Sequence, residues 1–194
     1  MFAKICGITN AEDALAAIEH GAGALGFNFY PASPRYIAPQ ELQHWIGALP
    51  TTAWKVGVFV NEAPARVTEI AEMLHLDVIQ LHGDEPPEDF PEHLRVWKAA
   101  RVPADFTFAS LDRYPAEAVL LDGPFGGSGQ NFDWSLAAGG SRKVIVAGGL
   151  DAANVRLAIE ITQPWGVDAC SRIESSPGKK DRARMARFLK AALL

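Results

Sequence analysis

Eight short apolar runs, each followed by Gly, Pro or polar residues and then by a segment of helical spacing, constrain this chain more than any other feature. The runs begin near residues 3, 24, 54, 77, 95, 118, 143 and 166, about 23 residues apart on average. That period holds one strand, one helix and short loops. Val56, Val58 and Val60 alternate around Gly57 and Phe59, so the third run is apolar on both faces. Strands of that kind suit a parallel sheet covered by helices. Eight such units predict an α/β fold, a single closed (β/α)8 barrel with residues 1–194 as one domain. An open doubly wound sheet is the alternative, but it would carry a nucleotide loop near its first strand, and Cys6-Gly7-Ile8-Thr9 is not one. The chain has 194 residues, just under the roughly 200 at the low end for such barrels. One outer helix is therefore expected to be missing or degenerate, and residues 101–117 are the candidate.

Local signals place the helices. Thr9 or Asn10 caps a helix over 11–20, with Leu15 and Ile18 on one face. Pro39 opens one over 39–49 and Pro64 one over 64–74, proline being suited to a first turn. A short helix is expected around 87–91, another after Phe132-Asp133-Trp134, one from Asp151 to 161, and a last one from Asp181 to 193. Lys plus Arg number 18 against 23 Asp plus Glu, a net charge of −5. That argues against a nucleic-acid partner and leaves room for a local basic pocket for a small anion. No run approaches the roughly 18 apolar residues of a membrane span, and no N-terminal targeting pattern is present, so no membrane partner and a cytoplasmic location are expected. A monomer or weak homodimer is expected as well, because no long exposed apolar stripe is evident. Cys6 and Cys170 are the two cysteines, too few for a disulfide framework.

In a barrel of this type, chemistry gathers at the C-terminal ends of the strands. There the chain offers Cys6, Arg35 in a two-proline loop, Asn61, His82, Lys98, Asp122, Gly148-Gly149 and Ser171-Arg172. A thiol and a carboxylate facing one space can act as general base and general acid. The thiol is competent only with a lowered pKa, for which Lys4 or a helix N-terminus is the candidate cause. Gly148 and Gly149 let backbone amides approach a ligand, and with Ser171 and Arg172 they match the phosphate site expected after strands seven and eight. Arg35 is a guanidinium suited to a carboxylate or phosphate. Taken singly, each residue has a plainer reading. A free cysteine in an apolar run is most often a small core residue, and Cys170 reads as that or as a neutral rim residue. An aspartate at a strand end often just caps a turn, His82 can hydrogen-bond within its own turn, and Arg35 can be a surface arginine.

Together these residues form a familiar set. Lys4-Ile5-Cys6-Gly7-Ile8-Thr9, Ser33-Pro34-Arg35, Val58-Phe59-Val60-Asn61, Gln80-Leu81-His82-Gly83, Leu121-Asp122, Gly127-Ser128-Gly129 with Phe132-Asp133-Trp134, Ala147-Gly148-Gly149-Leu150 and Glu174-Ser175-Ser176-Pro177-Gly178-Lys179-Lys180-Asp181 resemble, in order and nearly end to end, the phosphoribosylanthranilate isomerase family. The resemblance implies a TIM barrel of tryptophan biosynthesis. It implies an Amadori rearrangement of N-(5-phosphoribosyl)anthranilate to 1-(2-carboxyphenylamino)-1-deoxyribulose 5-phosphate, without metal or cofactor. It makes Cys6 the general base and Asp122 the general acid. It assigns the anthranilate carboxylate to Arg35 and the phosphate to the backbone around Gly148-Gly149 and the loop after strand eight. The glycine-rich loop at 123–129 is expected to act as a lid. The chain departs from the family where the loop after strand eight commonly reads Ser-Ser-Gly; here it reads Cys170-Ser171-Arg172, and preserved phosphate binding is still expected. Two other readings stand beside this one. A cyclising synthase would need several catalytic lysines and glutamates, with Lys98 as one candidate. A non-catalytic phosphate-binding barrel would need neither acid nor base.

Overall fold

Each of the eight apolar runs becomes a strand. The computed structural model describes residues 1–123, 132–140 and 142–194. The strands are β1 (Phe2–Cys6), β2 (Ala24–Asn28), β3 (Trp54–Phe59), β4 (Val78–Leu81), β5 (Val96–Arg101), β6 (Ala118–Asp122), β7 (Lys143–Val146) and β8 (Gly166–Ala169). They pair in sequence order, and β1 closes on β8 to complete a barrel. Every barrel ladder is parallel. The seam between first and last strand sets Lys4 opposite Asp168 and Ile5 opposite Ala169.

Among the described residues five α-helices cover the sheet: α1 (Ala11–Glu19), α2 (Pro39–Ile46), α3 (Pro64–Leu74), α4 (Val155–Thr162) and α5 (Arg182–Leu193). Asn10 caps α1, its side-chain oxygen accepting the Asp13 N–H at 2.8 Å. Asp181 caps α5 by accepting the Arg184 N–H at 2.9 Å. Each cap satisfies a donor that a helix start leaves open. Helix α4 starts four residues later than the sequence suggests. The Asp151 carboxylate is taken by the Ala153 N–H at 2.8 Å, which builds a turn before the helix instead of a cap on it. As expected, residues 101–117 supply no α-helix, only the 3-10 turn Phe108–Leu111. The thinning also reaches the neighbouring units. Pro87–Asp89 follows β4 as a 3-10 turn and, among the described residues, Trp134–Ala137 follows β6 as another. Prolines at 86, 87 and 91 deny the connection after β4, and Pro103 the one after β5, the uninterrupted donors a helix needs. No helix among the described residues is long and apolar enough to cross a membrane.

The packing decides which end of the barrel is open to chemistry. Phe2, Trp54, Trp97 and Trp165 close the N-terminal end, Phe2 stacking on Trp165 at 4.6 Å between centroids. Val56, Val78, Leu120 and Ile145 fill the interior above them. Polar side chains enter toward the C-terminal mouth. There Lys4 is fully buried inside the barrel and pairs with Asp168 at 2.9 Å.

At the closed end Glu117, just before β6, receives Arg95 at 2.8 and 2.9 Å and Lys143 at 2.8 Å. It thereby ties together the starts of three neighbouring strands. The Arg95 hydrogen bond, with Lys143 adding, holds the Glu117 carboxyl down at about 2. Because its folded pKa lies below its unfolded one, the stabilisation is present above about pH 4.5 and is lost as the pH falls toward 2. The group is partly solvated and its attraction to Arg95 and Lys143 is screened, so the contribution is about 1 kcal/mol. Glu117→Gln is expected to lower Tm by about 2–4 °C at neutral pH and by much less near pH 2. An equal deficit at both pH values would assign the loss to packing instead.

Candidate active site

Strands β1 and β8 carry the heart of the site on their inner faces. Lys4 and Cys6 alternate along β1, and Asp168 and Cys170 lie along and just beyond β8. Gly26 on β2 makes room for them: a Cβ there would lie 2.8 Å from the Cys6 sulfur and 3.1 Å from Lys4 Cε. Gly7 turns the chain away with φ +73°, and a Cβ on it would meet the Arg35 stem at 2.7 Å and the Cys170 sulfur at 3.0 Å. Any side chain at 7 would therefore displace both neighbours, besides straining the backbone.

Beyond β8 the chain forms a small hairpin, β9 (Glu174–Ser176) with β10 (Lys179–Lys180). It brings a carboxylate and an ammonium to the thiols. Glu174 holds Arg35 through Nε and Nη2, the closest contact being 2.8 Å, and Lys180 at 2.8 Å. The Cys170 sulfur lies 3.9 Å from both Glu174 and Lys180. The buried Asp13 of α1 fixes the hairpin by accepting the Lys180 backbone N–H at 2.8 Å.

This environment gives the two thiols opposite characters. The Cys170 thiol hydrogen-bonds to Cys6 and lowers its pKa well below the usual value; burial opposes this, and Lys4 and Lys180 reinforce it. Cys170 is pushed well above the usual value by the Cys6 thiolate and by burial. Burial pulls the Lys4 ammonium down, but Asp168 and Cys6 outweigh it and leave Lys4 raised. Asp168 is pushed up to about 7 by burial, with Cys6 and Asp122 adding and Lys4 opposing. The crowding of three acidic groups falls on Asp168. Alkylation of Cys6 by iodoacetamide is accordingly expected to continue well below the range of an ordinary thiol. Lys4→Met should move that profile to higher pH, since a cation beside the thiolate is lost. Mass spectrometry of the Cys6 peptide across pH reads both, and an unmoved profile would remove Lys4 from this role.

Asp122 ends β6. Its Oδ1 accepts the Gly123 N–H at 2.8 Å, and His82 Nε2 stands 3.6 Å from its Oδ2, beyond direct hydrogen-bond range. The Gln80 amide meets His82 Nδ1 at 3.1 Å. With the Gln80 NH2 donating there, a neutral ring carries its proton on Nε2, facing Asp122. After β7, Gly148 and Gly149 adopt φ of +81° and +63°, a region that favours glycine. Asn154 orients this turn by donating to the Gly149 carbonyl at 2.8 Å. Asp122, Gly148, Gly149, Asp168, Cys170, Ser171 and Arg172 line one concavity, and Arg172 pairs with Asp151 at 3.2 Å on its rim.

The structure thus gathers Asp122, Gly148, Gly149, Ser171 and Arg172 around one space, with Cys6 adjoining through Cys170 and Asp168. His82 borders a second concavity, which Asn61 and Lys98 also line, and Arg35 stands on the Cys6 side. Lys98 does not reach the first space. Its ammonium is buried against Glu85 at 2.7 Å and the Gly83 carbonyl at 2.6 Å, and it sits 5.5 Å from the Tyr114 ring centroid. Asn61 is likewise used by its own loop, its side chain accepting the Asp84 N–H at 2.7 Å. Neither is available to a cyclising synthase. Beyond Gly123, the expected lid at 123–129 lies outside the described residues. Sequence reasoning missed Asp168, Glu174, Lys180 and Gly26 as parts of the site. The spacing Asp168-x-Cys170, which mirrors Lys4-x-Cys6, signals the first. Glu174 and Lys180 lie inside a motif singled out only for its resemblance, and nothing in the sequence marks the close approach at Gly26.

A thiol and a carboxylate at the mouth of a closed parallel barrel, beside a glycine-lined hollow, define an acid–base barrel enzyme for small anionic substrates. The family model described as N-(5'-phosphoribosyl)anthranilate isomerase matches residues 3–191. The N-(5'-phosphoribosyl)anthranilate isomerase of Solibacter usitatus is 60% identical over 198 residues, covering 99% of this chain and 97% of that protein. The crystal structure of the Thermotoga maritima phosphoribosyl anthranilate isomerase superposes with a TM-score of 0.89 at 41% identity, covering 100% of this chain and 98% of that one. A phosphoribosyl anthranilate isomerase in complex with reduced 1-(o-carboxyphenylamino)-1-deoxyribulose 5-phosphate superposes with a TM-score of 0.86 at 38% identity, with the same coverage. The chain belongs to the phosphoribosylanthranilate isomerase family.

Proposed function

We propose that this chain, acting as one domain over residues 1–194, isomerises N-(5-phosphoribosyl)anthranilate to 1-(2-carboxyphenylamino)-1-deoxyribulose 5-phosphate, with Cys6 as general base and Asp122 as general acid. The observation that carries the role of Cys6 is its electrostatic setting. A thiol donor and two ammonium groups hold its pKa well below the ordinary thiol value, and a merely structural cysteine has no need of that. Asp122, in its acid form, protonates the ribose ring oxygen while the substrate's own nitrogen lone pair opens the ring to a Schiff base. The Cys6 thiolate then takes the proton from C2, and the enolamine tautomerises to the ketose. Electrons come from the substrate nitrogen, so the route calls for no cofactor. Backbone amides at Gly148 and Gly149, with Ser171 and Arg172, hold the phosphate. Glu174 occupies Nε and Nη2 of Arg35, which leaves Nη1 for the anthranilate carboxylate. His82 faces the substrate beside Asp122.

A cytoplasmic location and a monomeric or weakly dimeric state complete the reading. The free thiols suit a reducing compartment, and among the described residues the large exposed apolar side chains are few. Freshly prepared phosphoribosylanthranilate is fluorescent, and its signal is expected to decay on addition of the purified chain. A barrel that only binds the phosphate would leave the signal intact, and that result would overturn the proposal.

A further inference from the structure

Cys170 helps to lower the pKa of Cys6 but takes no proton in the isomerisation, and its own sulfur stands beside the one the isomerisation needs most. The β1–β8 ladder runs from Phe2 opposite Gly166 to Ile5 opposite Ala169. One step further along the same register come Cys6 and Cys170. Neighbouring strands lie about 4.8 Å apart, inside the Cα separation a disulfide spans. Both side chains turn into the mouth, where Gly26 on one side and Gly7 on the other leave room for the two sulfurs. Both thiols are free and partly exposed, so a small oxidant reaches them. We propose that Cys6 and Cys170 form a reversible modification site, in which peroxide oxidises Cys6 and Cys170 resolves it as an intrachain disulfide.

The chemistry balances in two steps. The Cys6 thiolate attacks one oxygen of hydrogen peroxide; an S–O bond forms, the O–O bond breaks, and hydroxide leaves, giving a sulfenic acid. Cys170 then attacks the Cys6 sulfur. The S–S bond forms, the S–O bond breaks, and the departing hydroxide leaves as water with the proton that Cys170 releases. Two thiols lose two electrons, and the peroxide is reduced to water. The order of attack is set by the surroundings. In the reduced protein the Cys6 thiolate suppresses ionisation of Cys170. Once Cys6 is an uncharged sulfenic acid that suppression ends, and Lys180, 3.9 Å from the Cys170 sulfur, favours the second thiolate. The loss of activity that follows rests on Cys6 being the base; the disulfide itself does not.

The test exposes the full-length protein to submillimolar hydrogen peroxide and follows intact mass, free thiols and isomerase activity together. The expected result is loss of both thiols in step, a mass lower by two hydrogen atoms, and a crosslink between the Cys6 and Cys170 peptides within one chain. Activity should fall about tenfold or more, as expected for a lost base, and return with dithiothreitol. The Cys170→Ser variant, scored against its own untreated activity, should accumulate sulfinic acid at Cys6 and recover little. Oxygen addition to Cys6 without the crosslink, or a crosslink only between chains, would overturn the proposal. If Cys170→Ser does not fold, peptide mapping of the unaltered protein decides alone. A disulfide that forms in a protein without isomerase activity would sink the proposed function and leave this inference standing.

Discussion

Cys6→Ser is expected to lower kcat by about 10²–10⁴-fold, the range for a placed proton-transfer group, with KM changed far less. The physical reason is the charge state. In the wild type the Cys170 thiol, Lys4 and Lys180 hold the Cys6 pKa well below the ordinary thiol value, which favours the thiolate that the proposed base step needs. A serine hydroxyl in the same field stays neutral at any pH the fold survives, and nothing removes the C2 proton. The substitution is nearly isosteric in the space Gly26 leaves, and the Lys4–Asp168 pair remains 2.9 Å apart beneath it, so the fold should be intact. Steady-state kinetics with circular dichroism melting checks both halves. A serine variant within tenfold of wild type would remove Cys6 from the proposed chemistry.

Asp122→Asn is expected to cost a comparable factor through a different step. The amide keeps an oxygen to accept the Gly123 N–H, which now bonds Oδ1 at 2.8 Å, so the end of β6 keeps its shape. What it cannot do is deliver a proton to the opening ring. His82, with its Nε2 3.6 Å from Asp122 Oδ2, stands beside the acid and not in its place, so it is not expected to make up the loss. Binding of a non-reactive product analogue should survive while turnover collapses. A variant that binds poorly but turns over bound substrate at a normal rate would reassign Asp122 from proton donor to substrate positioning.

Much of the barrel was legible because its signals are local. A strand needs an apolar run, and a helix start needs Pro39, Pro64, Asn10 or Asp181, all readable within a few residues. The reading was less complete where a helix is absent. Residues 101–117 stood out by length, whereas the connection after β4 looked like an ordinary place for a short helix until its prolines left only a 3-10 turn. Lys98 shows the limit for single residues. At a strand end it looks like part of the rim, but the pleat turns it outward onto Glu85, and a one-residue phase decides between catalysis and structure.

The sequence by itself determined the order and type of the elements and the presence of a thiol and a carboxylate at the ends of the first and sixth strands. Apolar periodicity, capping residues and turn residues act over a few positions, and no distant contact is needed to read them. Only the tertiary structure decided what Cys6 is chemically. Closure of β1 on β8 brings Asp168 and Cys170 to Lys4 and Cys6, and the hairpin past β8 adds Lys180 and Glu174 from the far end of the chain. Charge interactions act through space and weaken with distance. Whether this cysteine is an inert core thiol or a thiolate base therefore depends on which groups the barrel seam sets beside it.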